Sequence, residues 1–281
     1  MKKNRSNIIL AIIFLIGLSV MLYPSFSNYW NSRVQSRAVA SYNNDVQKMS
    51  KQDYKRMFQE ADDYNEELNK IDHPFENYGE IPGYDDILNV SGTGIIGYVT
   101  IDRIKTELPI YHGTSEGVLQ IGVGHLEGSS FPVGGVGTHT VLSAHRGLPS
   151  AKLFSNLDEM EEGDTFQITV LNRVLTYQVD QIHIVEPGDL DDLQVDPEKD
   201  YCTLMTCTPY GINTHRLLVR GVRVDGSANA YVPADAYQIE PNVVAVATTI
   251  TITVIMIVIS FVMWAVKRRK GTIVGKKHEE V

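Results

Sequence analysis

Tyr201-Cys202-Thr203-Leu204-Met205-Thr206-Cys207 is an apolar, β-branched run that carries a thiol to a strand end, and Arg216 follows nine residues after its last cysteine. Pro209 and Gly211 lie between, so the intervening stretch reads as a turn joining two neighbouring strands and bringing Cys207 and Arg216 to one rim. A second run of the same kind, Thr140-Val141-Leu142-Ser143-Ala144, ends on His145. A thiol, an imidazole and a guanidinium at strand ends are the parts of a thiolate nucleophile, its proton partner and an oxyanion stabiliser.

The same texture extends on both sides of these runs. Ile95–Ile101, Leu108–Tyr111, Thr138–Ala144, Thr165–Leu171, Arg173–Val185, Tyr201–Thr206 and Arg216–Val224 read as strands, with Leu171-Asn172-Arg173 as a hairpin tip. Short helices fit Val118–Gln120 and Ala151–Leu157. About 130 residues of this kind suit one closed or nearly closed β-barrel, so the chain is expected to be mainly β with about eight strands.

Upstream, Val39, Tyr42, Val46, Met49, Tyr54, Met57, Phe58, Ala61, Tyr64 and Leu68 recur at three- and four-residue spacing between Arg33 and Lys70. That pattern predicts one or two amphipathic helices packed on the barrel. Residues 71–93, with Pro74, Gly79, Pro82 and Gly83, form a long loop of the kind that often serves as a lid.

The ends suit a bilayer. Ile8–Tyr23 is almost wholly apolar, follows Lys2, Lys3 and Arg5, and is extended by an interfacial belt of Phe26, Tyr29 and Trp30. No small-x-small site follows Tyr23, so the segment reads as an uncleaved signal-anchor. Val243–Val266 carries no charge and is followed at once by Lys267-Arg268-Arg269-Lys270, a second expected span. Basic flanks put both termini in the cytoplasm and the middle outside. The expected divisions are a tail (1–7), the signal-anchor (8–30), a helical region (31–70), a loop (71–93), the barrel (94–226), a tether (227–242), a second span (243–266) and a basic tail (267–281).

Nine of the 25 Lys and Arg, but two of the 34 Asp and Glu, lie in the tails, which leaves the middle with 16 basic and 32 acidic residues. Such an acidic exterior argues against binding nucleic acid through non-specific charge. Two exported cysteines invite a disulfide, but Cys202 and Cys207 are an odd number of residues apart on one strand and face opposite ways. Cys202 then reads as a small core residue and Cys207 as a free thiol. The rivals to His145 are His112, His125, His139, His183 and His215, with His125 favoured by its Gly-rich surroundings; those to Arg216 are Arg146, Arg220 and Arg223.

Thr203-Leu204-Met205-Thr206-Cys207 resembles the TLxTC signature of sortases, with His145 and Arg216 in the matching places. The resemblance runs from Gly94 to Val224 and includes Leu108–Gly113, Gly122–Leu126, Ala144–Gly147 and Cys207–Arg216. It is similar to the class C, pilus-assembling sortases, which also tend to carry a C-terminal span. The resemblance implies a sortase-type closed barrel and a membrane-anchored cysteine transpeptidase of the Gram-positive cell surface. Its substrate would be an LPxTG-like sorting signal on a secreted pilin or surface protein. Cys207 would attack the Thr carbonyl, His145 would act as general acid and base, and Arg216 would hold the oxyanion. A pilin Lys amine would resolve the thioester, with no cofactor or metal required. Class C members often carry an Asp-Pro-aromatic lid, which implies Phe75 over Cys207 and Asp72 paired with Arg216. Here the stretch departs from that pattern as Asp72-His73-Pro74-Phe75, the inserted His73 alters the reach of the anchoring contact, and the other reading is a plain loop linking helix to barrel. Other readings are a sortase of another class that anchors proteins to cell-wall precursor, a cysteine hydrolase using water, and a membrane-tethered binding module with Cys207 inert. Acceptor amine, product mass and a Cys207→Ala variant separate them.

Overall fold

The computed structural model describes residues 2–224, with side chains from residue 12 onward, together with Thr249, Ile252, Thr253 and Met256. Those last four are helical and belong to a separate unit, residues 232–281. The expected tether at 227–242, the second span at 243–266 and the basic tail at 267–281 therefore lie outside the described residues, apart from these four positions.

Eight strands close into a barrel: β1 (Ile95–Ile101), β2 (Thr106–His112), β3 (Val123–His125), β4 (Thr138–Ser143), β5 (Thr165–Val170), β6 (Arg173–Val185), β7 (Asp200–Thr208) and β8 (His215–Val224). Their order around the barrel is β1-β2-β3-β4-β7-β8-β6-β5. The β2–β3 and β4–β7 pairs are parallel and the others antiparallel. Period-two alternation explains the core directly. On β5 the side chains of Phe166, Ile168 and Val170 point inward while Thr165, Gln167 and Thr169 are half-exposed. β7 is buried on both faces for much of its length: Cys202 and Leu204 join the barrel interior, and Met205 packs on an outer cluster of Val141, Leu193 and Leu218.

The strand β3 is not among the seven expected runs. It has three residues, and Gly124 serves there because a Cβ would strike the carbonyl oxygen of Gly113. The hairpin tip is as expected: Val170 pairs with Arg173 across Leu171-Asn172. Of the short helices, the one expected at Val118–Gln120 is a single turn at Glu116–Leu119, whereas Ala151–Leu157 is mostly turn, with a single 3-10 turn at Leu157–Glu159.

Two helices precede the barrel. The first, α1 (Lys2–Gln47), is unbroken from the apolar segment through Pro24 and into the layer that packs on β1 and β2. The helix runs without a break past residue 30, where the membrane segment is expected to end. Its apolar stretch is exposed at Ile12, Ile13, Leu15, Ile16, Val20 and Trp30, and is long and apolar enough to cross a membrane. Further along, Gln35, Val39, Tyr42 and Val46 are buried at three- and four-residue spacing. The Tyr42 hydroxyl donates to the Ile96 carbonyl at 3.0 Å and accepts from the Leu171 N–H at 2.8 Å, so α1 staples β1 to the β5–β6 hairpin.

The second helix, α2 (Lys51–Leu68), starts at a capping box between Ser50 and Asp53. It buries Met57, Phe58, Ala61, Tyr64 and Leu68, and Asn65 exchanges two hydrogen bonds with the backbone of Phe131 at 3.2 and 2.7 Å. Both helices form the packed layer that the apolar spacing predicts. A short helix, α3 (Pro74–Asn77), follows in the loop, and another, α4 (Glu116–Leu119), lies between β2 and β3.

Candidate active site

The β4–β7 register pairs Thr138 with Asp200 and continues to Ser143 with Met205. The Ala144 N–H donates to the Met205 carbonyl at 3.1 Å, and the Thr206 hydroxyl donates to the Ala144 carbonyl at 2.7 Å. Carried two residues past Ser143, the same offset sets His145 level with Cys207. On the other side of β7, Cys207 pairs directly with Arg216 on β8. Adjacent strands β7 and β8 therefore present Cys207 and Arg216 on one rung, about 4.8 Å apart, and His145 follows two residues after the end of β4, the other neighbour of β7. Face parity agrees. Cys202, Leu204, Leu217 and Val219 fill the interior, so Cys207 and Arg216 point to the outer face, each half-buried.

The strand-end thiol is free, as is Cys202, which is fully buried and whose thiol is pushed up by desolvation. Arg216 donates to the neighbouring His215 carbonyl at 3.2 Å and has no carboxylate partner among the described residues. The rival cations are engaged: Arg220 makes two bonds to Asp180 at 3.2 and 2.8 Å, Arg146 pairs with Asp158, and Arg223 lies over the Tyr177 ring.

The rival histidines are engaged as well. Both nitrogens of His125 are bonded, to the Tyr84 hydroxyl at 2.8 Å and the Ser130 carbonyl at 2.9 Å, and burial pushes its pKa down to about 4. His139, bonded to Thr203 and Gln194, is pushed down to about 4 for the same reason. His112 bonds the backbone of Gly94 and Ile87, His183 faces Asp192, and His215 faces Thr214. The His145 side chain is 26% exposed, and its Nε2 lies 3.6 Å from the Glu116 carboxylate. Sequence reasoning missed Glu116. An exposed acid at the start of a one-turn helix has no signature, and only the fold brings it to the imidazole.

The sortase domain family model matches residues 99–224. The chain is 48% identical to sortase C1 of Streptococcus agalactiae, whose crystal structure it covers completely, over 68% of its own length and at a TM-score of 0.63. The chain belongs to the sortase family. A Streptococcus pneumoniae sortase C structure, described as bearing on catalysis and pilin substrate specificity, is similar at 46% identity and a TM-score of 0.61, over 68% of this chain and 98% of that one. Sortase D of Bacillus subtilis (strain 168) is 32% identical over 131 residues, 46% of this chain; the match spans 63% of that relative's length.

In this sortase the loop before the barrel reaches the outer face. Phe75 of α3 packs with Val141, Leu193 and Leu218, the cluster that also receives Met205, two residues before Cys207 on the same face. Gly128 allows the approach, since a Cβ there would meet the Phe75 Cα at 2.6 Å. Phe75 also lines a cavity of about 150 Å³, together with Leu68, Ile71, Ser129, His139 and Leu193 among others. The expected Asp72–Arg216 pair is not formed: Asp72 is exposed and has no ion-pair partner among the described residues. His73, the inserted residue, takes a left-handed conformation (φ 53°), and the Asn77 side chain holds the Asp72 carbonyl at 2.7 Å. The chain is thus turned at His73, and Phe75 contacts the outer face without an acidic anchor.

Proposed function

We propose that this sortase is a membrane-anchored cysteine transpeptidase that cleaves an LPxTG-like sorting signal between Thr and Gly and joins the acyl part to a pilin Lys amine. The observation that supports the reading is the pairing of Cys207 with Arg216 on the outer face, with His145 two residues past the end of the neighbouring strand β4. The Cys207 thiolate adds to the Thr carbonyl, and the oxyanion that forms lies within reach of the fixed charge of Arg216. Collapse of the adduct breaks the Thr–Gly bond, and the imidazolium of His145 gives its proton to the departing Gly nitrogen, leaving a thioester. A Lys ε-amine then attacks the thioester, His145 takes the amine's proton, and Cys207 leaves as thiolate as the isopeptide bond forms. Repetition on successive pilins would build a polymer. The likeness to sortases C1 and C favours a pilin acceptor over a cell-wall amine.

In this reading α1 anchors the protein, with Lys2, Lys3 and Arg5 in the cytoplasm and the barrel outside. The charge rule also reads 243–266 as a second span and puts Lys267–Lys270 inside. Phe75 and α3 act as a lid over the outer face, without the Asp72 contact.

The test is incubation of the full chain in detergent with an LPxTG peptide, followed by intact-mass measurement. An acyl adduct on Cys207, absent in Cys207→Ala, supports the reading; its absence from the wild-type chain and from Phe75→Ala alike overturns it. Adding a pilin as Lys donor or a peptidoglycan-type amine then decides the acceptor, and release of a free Thr carboxylate alone would mark a hydrolase.

A further inference from the structure

Three amides lie on one face of α1 at three- and four-residue spacing: Asn28, Asn31 and Gln35. Each bonds to backbone outside its own helix. Asn28 Oδ1 accepts from the Lys152 N–H at 2.8 Å, Asn31 Nδ2 donates to the Ser150 carbonyl at 2.8 Å, and Gln35 Nε2 donates to the Ile121 carbonyl at 3.1 Å.

The two segments they grip flank one residue. Ser150 and Lys152 belong to a loop that begins at His145 and is closed at its base by two bonds. The Phe154 N–H donates to the His145 carbonyl at 3.2 Å, and the Gly147 N–H donates to Ser155 Oγ at 3.1 Å. Ile121 follows the C-cap of α4, Gln120, with its N–H on the Val118 carbonyl at 3.0 Å. The first residue of α4 is Glu116, which accepts from Gln120 at 2.9 Å through Oε1 and faces His145 Nε2 at 3.6 Å through Oε2.

Helix docking alone does not need this stripe. Farther along α1 the contact with the barrel is made by Val39, Tyr42 and Val46. Directional amide bonds fix where a loop backbone sits, which apolar contact does less sharply. The stripe also lies beside the exposed aromatic belt of Phe26, Tyr29 and Trp30, so a continuous helix joins the belt to the loop that begins at His145.

We propose that Asn28, Asn31 and Gln35 are positioning residues that make the anchor helix part of the active site, by holding the loop after His145 and the helix that aims Glu116 at its ring. The proposal builds on the transpeptidase reading above.

The test uses the full chain in nanodiscs, with an LPxTG peptide as probe and single-turnover thioester formation on Cys207 read by intact mass. Asn28→Asp keeps an acceptor for the Lys152 N–H, whereas Asn31→Asp removes the donor and sets a carboxylate against the Ser150 carbonyl. Because small misplacements of a proton-transfer group are costly, Asn28→Ala/Asn31→Ala should slow acylation at saturating peptide by about five- to tenfold. The half-saturating peptide concentration should stay within about twofold of the wild-type value and the melting temperature should hold. Asn28→Asp should match the wild type and Asn31→Asp should match the double variant. Wild-type acylation in the double variant, equal behaviour of the two Asp variants, or a rate loss that only tracks melting would overturn the proposal. A readout without substrate keeps it separate from the functional reading. Amide hydrogen exchange across 146–155 should quicken in Asn31→Asp and not in Asn28→Asp, and unchanged exchange in both refutes the tether even if no peptide is ever cleaved.

Discussion

Replacing Gly128 with alanine tests whether α3 controls access to Cys207. A Cβ at Gly128 would lie 2.6 Å from the Pro74 carbonyl oxygen, 2.6 Å from the Phe75 Cα and 2.9 Å from the Phe75 nitrogen. All three are backbone atoms of α3, so no rotamer relieves the overlap. Ordinary contact begins near 3.4 Å, and α3 must therefore retreat or undock. Gly128 also sits at φ +88°, a conformation that costs an L-residue about 1–2 kcal/mol. That strain is common to docked and undocked lids and cancels from the equilibrium between them. The overlap does not cancel. Overpacking of this kind costs about 1–3 kcal/mol, which shifts the balance roughly five- to 150-fold toward the undocked lid. Phe75 is only half-buried, so docking retains a fraction of the roughly 1.5–3 kcal/mol that full burial of its ring would supply. The two quantities are comparable, so a lid that is mostly docked becomes open about half of the time or more. The assay is the second-order rate of Cys207 alkylation by a small neutral reagent; Cys202, fully buried, stays silent. Gly128→Ala should react at least about fivefold faster and approach the rate of Phe75→Ala. Combining the two should add nothing. A folded Gly128→Ala with the wild-type rate, or one that gains as much again in the Phe75→Ala background, would refute the lid.

Arg216→Lys keeps the charge but loses the planar fork, and acylation at saturating peptide should fall by about 10²–10³, with the melting temperature unchanged; equal rates would remove Arg216 from the oxyanion role. Tyr42→Phe deletes the hydroxyl shared by Ile96 and Leu171 and strands a buried N–H, so the denaturant midpoint should report a loss of about 1–3 kcal/mol. Acid should destabilise the domain before its carboxylates titrate. His125 and His139 take up protons near 6.5 when unfolded but only near 4 when folded, so between those values the unfolded state holds more protons and stability is lost as the pH is lowered. The loss is on the order of 3 kcal/mol per histidine, and a melting temperature flat from pH 7 to 4 would contradict it.

Much of the barrel was legible because burial on one face writes itself into the strands. Ile95–Ile101 and Arg173–Val185 match their expected bounds, being β-branched runs with turn residues such as Gly94 and Asn172 at their ends. The parity that separates Cys202 from Cys207 was legible for the same reason. What escaped is tertiary in origin. β3 carries no β-branched run because its Gly124 serves a close backbone approach, not strand propensity. The continuity of α1 escaped because Pro24 and an aromatic belt look like an end, while the packing that carries the helix onward lies in β1 and β2. His125 attracted notice through its glycines, yet those accompany a buried ring stacked on Phe131 at 4.8 Å. Glu116 had no signal at all, since its partner is brought to it only by the closed barrel.

The two threonines of Thr203-Leu204-Met205-Thr206-Cys207 explain why a motif of this form can specify a site assembled from distant stretches. Cys207 and Arg216 lie on one antiparallel pair, so the short turn between them sets their register. His145 arrives on a parallel neighbour, where no short turn constrains the pairing, and a one-residue slip would send its ring to the interior. Thr203 bonds His139 at 2.8 Å, and Thr206 donates to the Ala144 carbonyl at 2.7 Å, both across the β4–β7 boundary. One bond lies on the outer face and the other on the inner, so slippage by one residue would break both and bury unpaired polar atoms. The threonines thus hold the register of β4 against β7, at the end of which His145 follows. The aliphatic Leu204 between them fills the barrel, and the partly buried Met205 covers the outer cluster that Phe75 also meets. Each position of the motif has a separate mechanical reason, and only the last requires the chemistry of sulfur.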